Sequence, residues 1–162
     1  MLKTLKVLIV EDHPLVVEGL KRAFEQYGQI QVVATAANAS QCLSFLSGNH
    51  PDVILLDIML PDKNGIDLCF EVKQQYPDIK ILALSTYNHR FYIHNMIKNG
   101  ASGYLLKNEE PSIIIKAIIE VANCNTYFSQ EIKPTNYNTD NQKVILTKRE
   151  IEVLKLIAEG LT

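Results

Sequence analysis

Five polar residues whose side chains could do chemistry stand directly after short apolar runs of the sequence: Glu11, Asp12, Asp57, Ser85 and Lys107. If those runs are neighbouring parallel strands, their carboxyl ends meet along one sheet edge, where ligands bind in doubly wound folds. Three carboxylates brought together repel one another unless a cation joins them. Hard oxygen ligands with few protein contacts suit Mg²⁺, which keeps several of its waters. The pattern therefore predicts a magnesium site at one edge of a sheet.

The same residues include the parts needed for phosphoryl chemistry. A carboxylate beside Mg²⁺ can attack phosphorus and form an aspartyl phosphate. The metal and a lysine would neutralise the phosphoryl oxygens, and a hydroxyl would donate a hydrogen bond to one of them. Each part alone is weak evidence, because acidic pairs and lysines that follow strands are mostly solvated surface residues. The joint occurrence of carboxylates, a lysine and a serine at strand ends supports the prediction.

Five apolar runs are predicted to be the strands that position these residues. They are Val7–Val10, Val32–Ala34, Val53–Leu56, Ile81–Leu84 and Tyr104–Leu106. Most are continuously apolar, which is typical of parallel strands covered on both faces. The gaps between them have helical periodicity, with Pro14 at a helix start, Asn64 as a helix cap and Gly100 as a left-handed helix end. The sequence thus predicts an α/β fold, a (βα)₅ doubly wound parallel sheet that ends near Asn123.

Four segments carry motifs that occur together in one known family. They are Val-Leu-Ile-Val-Glu-Asp-His-Pro at 7–14, Leu-Leu-Asp-Ile-Met-Leu-Pro-Asp-Lys-Asn-Gly at 55–65, Leu-Ser at 84–85 and Asn-Gly-Ala-Ser-Gly-Tyr-Leu-Leu-Lys at 99–107. Through them the chain resembles CheY-like receiver domains, and specifically response regulators of the NarL/FixJ type. The resemblance covers residues 5 to about 123 and implies a flavodoxin-like, five-stranded sheet of order 2-1-3-4-5.

This resemblance implies a role for each acidic residue. Asp57 would be the phosphoryl acceptor. Asp12 and Asp57 would ligate Mg²⁺ together with the backbone carbonyl of Met59. Glu11 would act on the metal mostly through a water molecule. The expected metal site therefore draws its ligands from the residues that follow the first and third strands.

The resemblance also implies roles at the fourth and fifth strands. Ser85 and Lys107 would hold phosphoryl oxygens, and Tyr104 would turn inward when Ser85 shifts toward the phosphate. The alternative for Tyr104 is an ordinary aromatic residue at the sheet edge. Met59 follows the acceptor by two residues without a polar group to orient attacking water, and bulky Tyr87 follows Ser85 by two. We therefore expect slow loss of the phosphoryl group.

The implied function is that of a response regulator in a two-component phosphorelay, phosphorylated by a sensor histidine kinase and not a turnover enzyme. Phosphorylation would change the surface around the fourth and fifth strands, and a homodimer would form there or through the first and last helices. Two alternatives stay open. One is an unphosphorylated docking module, which loss of an acid or of the lysine would favour. The other is an aspartate-nucleophile phosphatase of the haloacid-dehalogenase type, which needs a second acid where Met59 stands.

The chain beyond the predicted receiver domain, residues 1–123, divides into two parts. Residues 124–145 are predicted to be a linker, because residues 133–143 contain no aliphatic side chain. A Thr-x-x-Glu capping box at 147–150 then precedes an apolar helical stripe. Residues 146–162 resemble the opening of a LuxR-type helix-turn-helix, whose recognition helix lies further on. DNA binding and transcription control are therefore expected only of a full-length protein, of which this chain would be a truncated form.

Composition narrows the setting in which such a protein would work. The 162 residues carry a net charge of −2, which gives no overall attraction to nucleic acid or to an anionic membrane. The sequence shows no signal peptide and no apolar run of membrane length, so we expect a cytoplasmic protein without a membrane partner. The widely spaced cysteines are predicted to be reduced: Cys42, Cys69 and Cys124. The histidines lack metal-ligand spacing and are predicted to be surface residues: His13, His50, His89 and His94.

Overall fold

Six strands and five α-helices alternate along residues 2–132, the part of the chain that the computed structural model describes. The strands are β1 (Leu5–Val10), β2 (Ile30–Ala36), β3 (Val53–Leu56), β4 (Lys80–Ser85), β5 (Gly103–Leu106) and β6 (Tyr127–Phe128). The helices are α1 (Pro14–Glu25), α2 (Ala39–Leu46), α3 (Gly65–Gln75), α4 (Arg90–Lys98) and α5 (Pro111–Ala122). A turn of 3₁₀ helix, Gln130–Ile132, follows β6.

All strands of the sheet are parallel, and their order is β2-β1-β3-β4-β5-β6. The predicted order 2-1-3-4-5 is confirmed, and β6 extends it by one strand. The strand order reverses at β1, which lies between β2 and β3. Because ligands bind outside the carboxyl ends of strands at such a switch point, the crevice beyond β1 and β3 is the expected site.

Both faces of the sheet are buried, as the continuously apolar strands predict. On β1, Leu8 and Val10 pack toward α2, α3 and α4, whereas Val7 and Ile9 pack toward α1 and α5. All four side chains are fully buried. Each buried aliphatic side chain contributes roughly 1.5–3 kcal/mol to folding. The two apolar layers therefore fix the strands whose ends carry the polar residues.

Local signals in the sequence set the helix ends as predicted. Pro14 begins α1, where its missing N–H costs no helical hydrogen bond. The side-chain oxygen of Asn64 accepts a hydrogen bond from the Ile66 amide at 2.8 Å and caps α3. Gly100 follows α4 with a φ of +100°, a conformation that side chains with a Cβ rarely adopt. These three positions confirm the predicted helix boundaries.

The main difference from the predicted organisation is β6. The sequence pattern predicts a linker over residues 124–145, but Tyr127 and Phe128 extend the sheet, and their side chains and that of Ile132 pack on its core. A strand of two residues is too short to show a period in the sequence. The remainder of the predicted linker, and the predicted helix at 146–162, lie outside the described residues. No helix within residues 2–132 is long and apolar enough to cross a membrane.

Candidate functional site

The first and third strands bring the predicted acidic residues together. Glu11 and Asp12 directly follow β1, and Asp57 directly follows β3. The Asp57 amide donates to the carbonyl of Val10 at 2.9 Å, which ties the two strand ends to each other. Each of the three carboxylates has an oxygen within 4.8 Å of an oxygen of the others, and the ring of His13 joins the same group. The predicted convergence at the sheet edge is therefore present.

Lys107 reaches this acidic cluster from the end of β5. Its Nζ lies 2.7 Å from Glu11 Oε2 and 3.1 Å from Asp57 Oδ2. Only 13% of the Lys107 side chain is exposed, and the two carboxylates are almost fully buried. Charges interact more strongly where water is excluded, so Lys107 neutralises part of the repulsion between Glu11 and Asp57. The lysine is thus in place to contact a group held on Asp57.

Three buried carboxylate oxygens make no hydrogen bond of good geometry: Glu11 Oε2, Asp12 Oδ1 and Asp57 Oδ2. Two of them lie within ion-pairing distance of Lys107, and Asp12 Oδ1 lies 3.0 Å from the His13 ring. A buried polar group without a hydrogen bond costs about 1–3 kcal/mol. Hard anionic oxygens that converge in this way are suitable ligands for a divalent cation. The acidic pocket therefore fits a divalent metal ion.

The loop after Asp57 is shaped by close backbone packing. The Met59 amide donates to Asp57 Oδ1 at 3.3 Å, and Met59 also forms a β-bridge with Asn64. A Cβ on Gly65 would lie 2.4 Å from the carbonyl oxygen of Asp57, so only glycine fits there. The side chain of Met59 is exposed beside the acceptor. The Met59 carbonyl as a metal ligand stays a prediction.

Ser85 and Tyr104 are linked through the backbone of Tyr87. Ser85 is fully buried at the end of β4, and its Oγ accepts a hydrogen bond from the Tyr87 amide at 3.1 Å. The Tyr104 hydroxyl donates to the Tyr87 carbonyl at 2.5 Å. Burial raises the pKa of Tyr104 to about 12. Tyr104 is fully buried in the structure. Its predicted role as the aromatic that moves with Ser85 stays a prediction.

Burial and neighbouring charges shift the pKa values of Asp57 and Glu11 in opposite directions. Burial, and then the charge of Glu11, raise the pKa of Asp57, although Lys107 offsets part of that effect. Burial also raises the pKa of Glu11, but the hydrogen bonds from Lys107 and His13 outweigh it and leave that pKa below its ordinary value. Burial lowers the pKa of Lys107, and its two acidic partners more than compensate. The surroundings therefore favour the charged form of Asp57 less than they favour that of Glu11.

Sequence reasoning missed the contribution of His13. Its side chain is 63% exposed, as the surface prediction requires, but Nδ1 lies 2.6 Å from Glu11 Oε1 and 3.0 Å from Asp12 Oδ1. The His13 amide also donates to Glu11 Oε1 at 3.1 Å. The hydrogen bond with Glu11 and the charge of Asp12 raise the pKa of His13. Its place directly after two acids at a strand end was the signal that could have revealed these contacts.

Asp62 is a second residue whose role the sequence did not reveal. Its carboxylate accepts hydrogen bonds from the Ala39 amide at 2.9 Å and from the Ser40 amide at 3.0 Å. These are the first two amides of α2, and the Asn38 side chain accepts from the third, that of Gln41. Anions are stabilised at helix N-termini, and these amides hold the pKa of Asp62 below its ordinary range. The loop after Asp57 is thereby anchored to α2.

The fold and the sheet-edge site define a family, and comparison with known proteins agrees. Residues 7–119 match the family model described as "Response regulator receiver domain", and the chain belongs to that family. It is 33% identical to the transcriptional regulatory protein DegU of Brevibacillus brevis, over 96% of this chain and 75% of DegU. It is 32% identical to the nitrate/nitrite response regulator protein NarL of Escherichia coli K12, over 96% of this chain and 76% of NarL.

Solved structures support the same assignment. A two-component response regulator of the LuxR family from Aurantimonas sp. SI85-9A1 is 28% identical, with a TM-score of 0.76 over 80% of this chain and 93% of that one. The signal receiver domain of the NarL regulator from Mycobacterium tuberculosis is 29% identical, with a TM-score of 0.71 over 75% of this chain and 98% of that one. The predicted resemblance to response regulators of the NarL/FixJ type is thereby confirmed, and the chain carries the receiver domain of a LuxR-family two-component response regulator.

Proposed function

We propose that this chain is a phosphorylation switch in which Asp57 accepts a phosphoryl group in the presence of Mg²⁺. The observation that carries the proposal is the contact of Lys107 Nζ with Glu11 Oε2 and Asp57 Oδ2, within a cluster of buried carboxylate oxygens that also includes Asp12 Oδ1. In this arrangement an oxygen of Asp57 is available for reaction beside the positively charged ammonium group of Lys107. The donor would be a sensor histidine kinase or a small phosphodonor.

The transfer requires no intermediate beyond the aspartyl phosphate. An Asp57 oxygen forms a bond to phosphorus while the bond from phosphorus to the donor's nitrogen or oxygen breaks, and the donor leaves with that electron pair. Lys107 moves from the carboxylates toward the phosphoryl oxygens and stabilises their charge. Burial and the charge of Glu11 raise the pKa of Asp57, and a bound cation would act in the opposite direction by stabilising the carboxylate.

Mg²⁺ is the metal that this oxygen-rich site fits best. Asp12 and Asp57 would hold it, with the Met59 carbonyl as a third ligand and Glu11 acting through a water. When bound, Mg²⁺ neutralises developing negative charge on the phosphoryl oxygens. The hydrogen bonds from Lys107 and His13 outweigh the burial of Glu11 and keep its pKa below the ordinary value, and the His13 contacts fix the orientation of the carboxylate.

The backbone of Tyr87 provides a route for the switch. Ser85 now uses its oxygen to accept from the Tyr87 amide, and Tyr104 donates to the carbonyl of the same residue. If Ser85 turned to donate to a phosphoryl oxygen, the contact with the Tyr87 amide would change. The loop after β4 would then shift. Tyr104 would move with it, because its hydroxyl is bonded to the Tyr87 carbonyl. Phosphorylation would thus select between two arrangements of the β4 and β5 ends.

We infer the wider role from the family. DegU carries the name of a transcriptional regulatory protein, and NarL that of a nitrate/nitrite response regulator. We propose that the receiver acts as a regulator of transcription rather than as a turnover enzyme, and that the residues from 133 onward link it to a LuxR-type DNA-binding domain that begins in 146–162. Phosphorylation-dependent pairing of two chains would bring two such domains together on DNA.

The decisive test is incubation with Mg²⁺ and acetyl phosphate, followed by intact-mass analysis. Wild-type chain is expected to gain one phosphoryl adduct, and Asp57→Asn is expected to gain none. Asp78→Asn is the matched control, because Asp78 is an exposed aspartate that precedes β4 at the opposite sheet edge. Absence of a Mg²⁺-dependent adduct on wild type would refute the proposal. Repeated turnover of a phosphomonoester would instead support a phosphatase.

The lifetime of the adduct tests the role of the residues at the mouth of the site. Met59 and Tyr87 are both exposed apolar side chains next to the proposed acceptor region. Met59→Asn introduces a group that can orient attacking water, so we expect faster loss of the adduct by roughly threefold or more. The decay of the phosphorylated mass after removal of acetyl phosphate measures this. An unchanged decay rate would show that Met59 does not limit hydrolysis.

A further inference from the structure

Ser129 is a buried polar residue that the proposed phosphoryl chemistry does not use. It lies directly after β6, and only 1% of the residue is exposed. Its amide donates to the Tyr104 carbonyl at 3.1 Å, and its Oγ accepts from the Leu106 amide at 3.0 Å. Both partners are on the outer edge of β5. Ser129 therefore satisfies two backbone groups of a strand that would otherwise form the edge of the sheet.

The segment that carries Ser129, residues 127–132 (the β6 segment), is fitted closely to β5. A Cβ on Gly103 would lie 2.2 Å from the Tyr127 carbonyl oxygen, so the approach of β6 depends on glycine at 103. Ile132 is buried in the same apolar layer as Tyr104 and Leu106. The Ile132 amide donates to the Ser129 carbonyl at 2.8 Å. The β6 segment is thus held by backbone bonds, an apolar anchor and the Ser129 hydroxyl.

The bonds of Ser129 end next to Lys107. Leu106, whose amide donates to Ser129 Oγ, directly precedes Lys107, whose own amide donates to the Ser85 carbonyl at 2.8 Å. Two serines therefore fix consecutive amides of the chain, one from the outer side of β5 and one from β4. The side chain of Lys107 leaves this fixed backbone to reach Glu11 and Asp57. Displacement of Leu106 would move the origin of that side chain.

We propose that Ser129 is a positioning residue for Lys107, and that through it the β6 segment is coupled to the occupancy of Asp57. This rests on the proposed function, because Lys107 is taken to contact the phosphoryl group. Coupling between two sites is reciprocal in binding free energy. A phosphoryl group that draws Lys107 away from the carboxylates therefore changes the stability of the Leu106–Ser129 bond, and loss of that bond changes how readily Asp57 is modified. The β6 segment leads directly to residue 133 and the predicted linker.

The test compares the full 162-residue wild-type chain with Ser129→Ala, Ser129→Thr and Ser47→Ala. Ser47 is a matched control, because its hydroxyl donates to the Ser44 carbonyl on an exposed helix end. Nuclear magnetic resonance without a phosphodonor follows hydrogen exchange at the Leu106 amide and the chemical shift of the Lys107 amide. Intact mass then follows the rate of adduct formation with Mg²⁺ and acetyl phosphate, at a temperature where every variant is folded.

Ser129→Ala is expected to speed exchange at Leu106 by about tenfold, since the buried amide loses its acceptor. It is also expected to shift the Lys107 resonance and to slow adduct formation several-fold. Ser129→Thr keeps the hydroxyl and restores all three values, whereas Ser47→Ala leaves them unchanged. If Ser129→Ala does not fold, Ser129→Cys is measured instead, and its weaker acceptor gives smaller changes in the same directions.

The proposal is overturned by fast exchange at Leu106 with an unchanged Lys107 resonance and a wild-type rate of adduct formation. That result would make Ser129 a purely structural residue. Failure of the proposed function gives a different result, because wild type would then gain no adduct. In that case the Lys107 resonance in Ser129→Ala still decides whether Ser129 positions the lysine.

Discussion

The two ends of β3 each carry an aspartate, and the two carboxylates meet opposite environments. Asp52 precedes the strand at the amino edge of the sheet, where it accepts from Lys3 Nζ at 2.9 Å and from the Lys6 amide at 2.8 Å. Partial burial raises the pKa of Asp52, but these two donors outweigh it and hold that pKa below its ordinary value. Its charge therefore contributes to the stability of the fold.

Asp57 follows the same strand at the carboxyl edge, where its surroundings raise its pKa instead of lowering it. It is almost fully buried, its Oδ2 makes no hydrogen bond, and burial and Glu11 raise its pKa. Strained or unsatisfied groups concentrate at functional sites, where activity rather than stability selects them. The comparison teaches that a carboxylate's partners, rather than its place beside a strand, distinguish a stabilising aspartate from a reactive one.

Removal of the lysine at each edge tests this contrast with the largest expected effect. Lys107→Met leaves Glu11 and Asp57 buried together without their cation, so we expect a loss of about 3 kcal/mol in the free energy of unfolding. Lys3→Met is the matched change at the other edge, and because the Lys3 side chain is 76% exposed we expect a loss below about 1 kcal/mol. Urea denaturation at pH 7 without divalent cations measures both. Equal losses in the free energy of unfolding would contradict the proposed difference between the two edges of the sheet.

Addition of Mg²⁺ is the second test, and it is expected to act at one edge only. A ligand that binds the native state alone stabilises it by about 1.4 kcal/mol at ten times its dissociation constant. We expect such stabilisation in wild type and its loss in Asp12→Asn, since Asp12 belongs to the acidic group. Asp52→Asn is the control and is expected to keep the full response. Thermal unfolding with and without Mg²⁺ gives the result, and an intact response in Asp12→Asn would contradict the metal site.

The functional residues at the carboxyl edge of the sheet were easier to predict from the sequence than the contacts that surround them. Asp57 and Lys107 follow strands whose apolar runs are easily recognised, so their convergence follows from the topology alone. The cap that Asp62 provides for α2 spans 22 and 23 residues, and no local spacing indicates such a contact. The contacts of His13 depend on a side-chain conformation, which periodicity does not encode. The β6 segment was not predicted from the sequence, because two strand residues are too few to show a period.

Neutral replacement of the two aspartates is expected to change stability in opposite directions. Asp57→Asn removes a carboxylate whose charged form is disfavoured in the fold, so we expect the free energy of unfolding to rise by about 1 kcal/mol. Asp52→Asn removes a charge that Lys3 and the Lys6 amide stabilise, and we expect a fall of about 1 kcal/mol. Urea denaturation at pH 7 without Mg²⁺ measures both variants. A change of the same sign in both would contradict the contrast between the two ends of β3.

The smallest expected effect, and the most specific test, is the pH dependence of the stability differences between wild type and the variants Asp52→Asn and Asp57→Asn. A carboxyl whose pKa is lowered by folding contributes stability above its ordinary pKa, and the contribution is lost as pH falls through the lower folded value. The deficit of Asp52→Asn relative to wild type is therefore expected to shrink as the solution becomes acidic. A carboxyl whose pKa is raised by folding behaves in the opposite sense, because the native state binds the proton first and stability falls as pH rises through that window. The advantage of Asp57→Asn is thus expected to be present above the raised pKa and to vanish as pH falls toward the ordinary value.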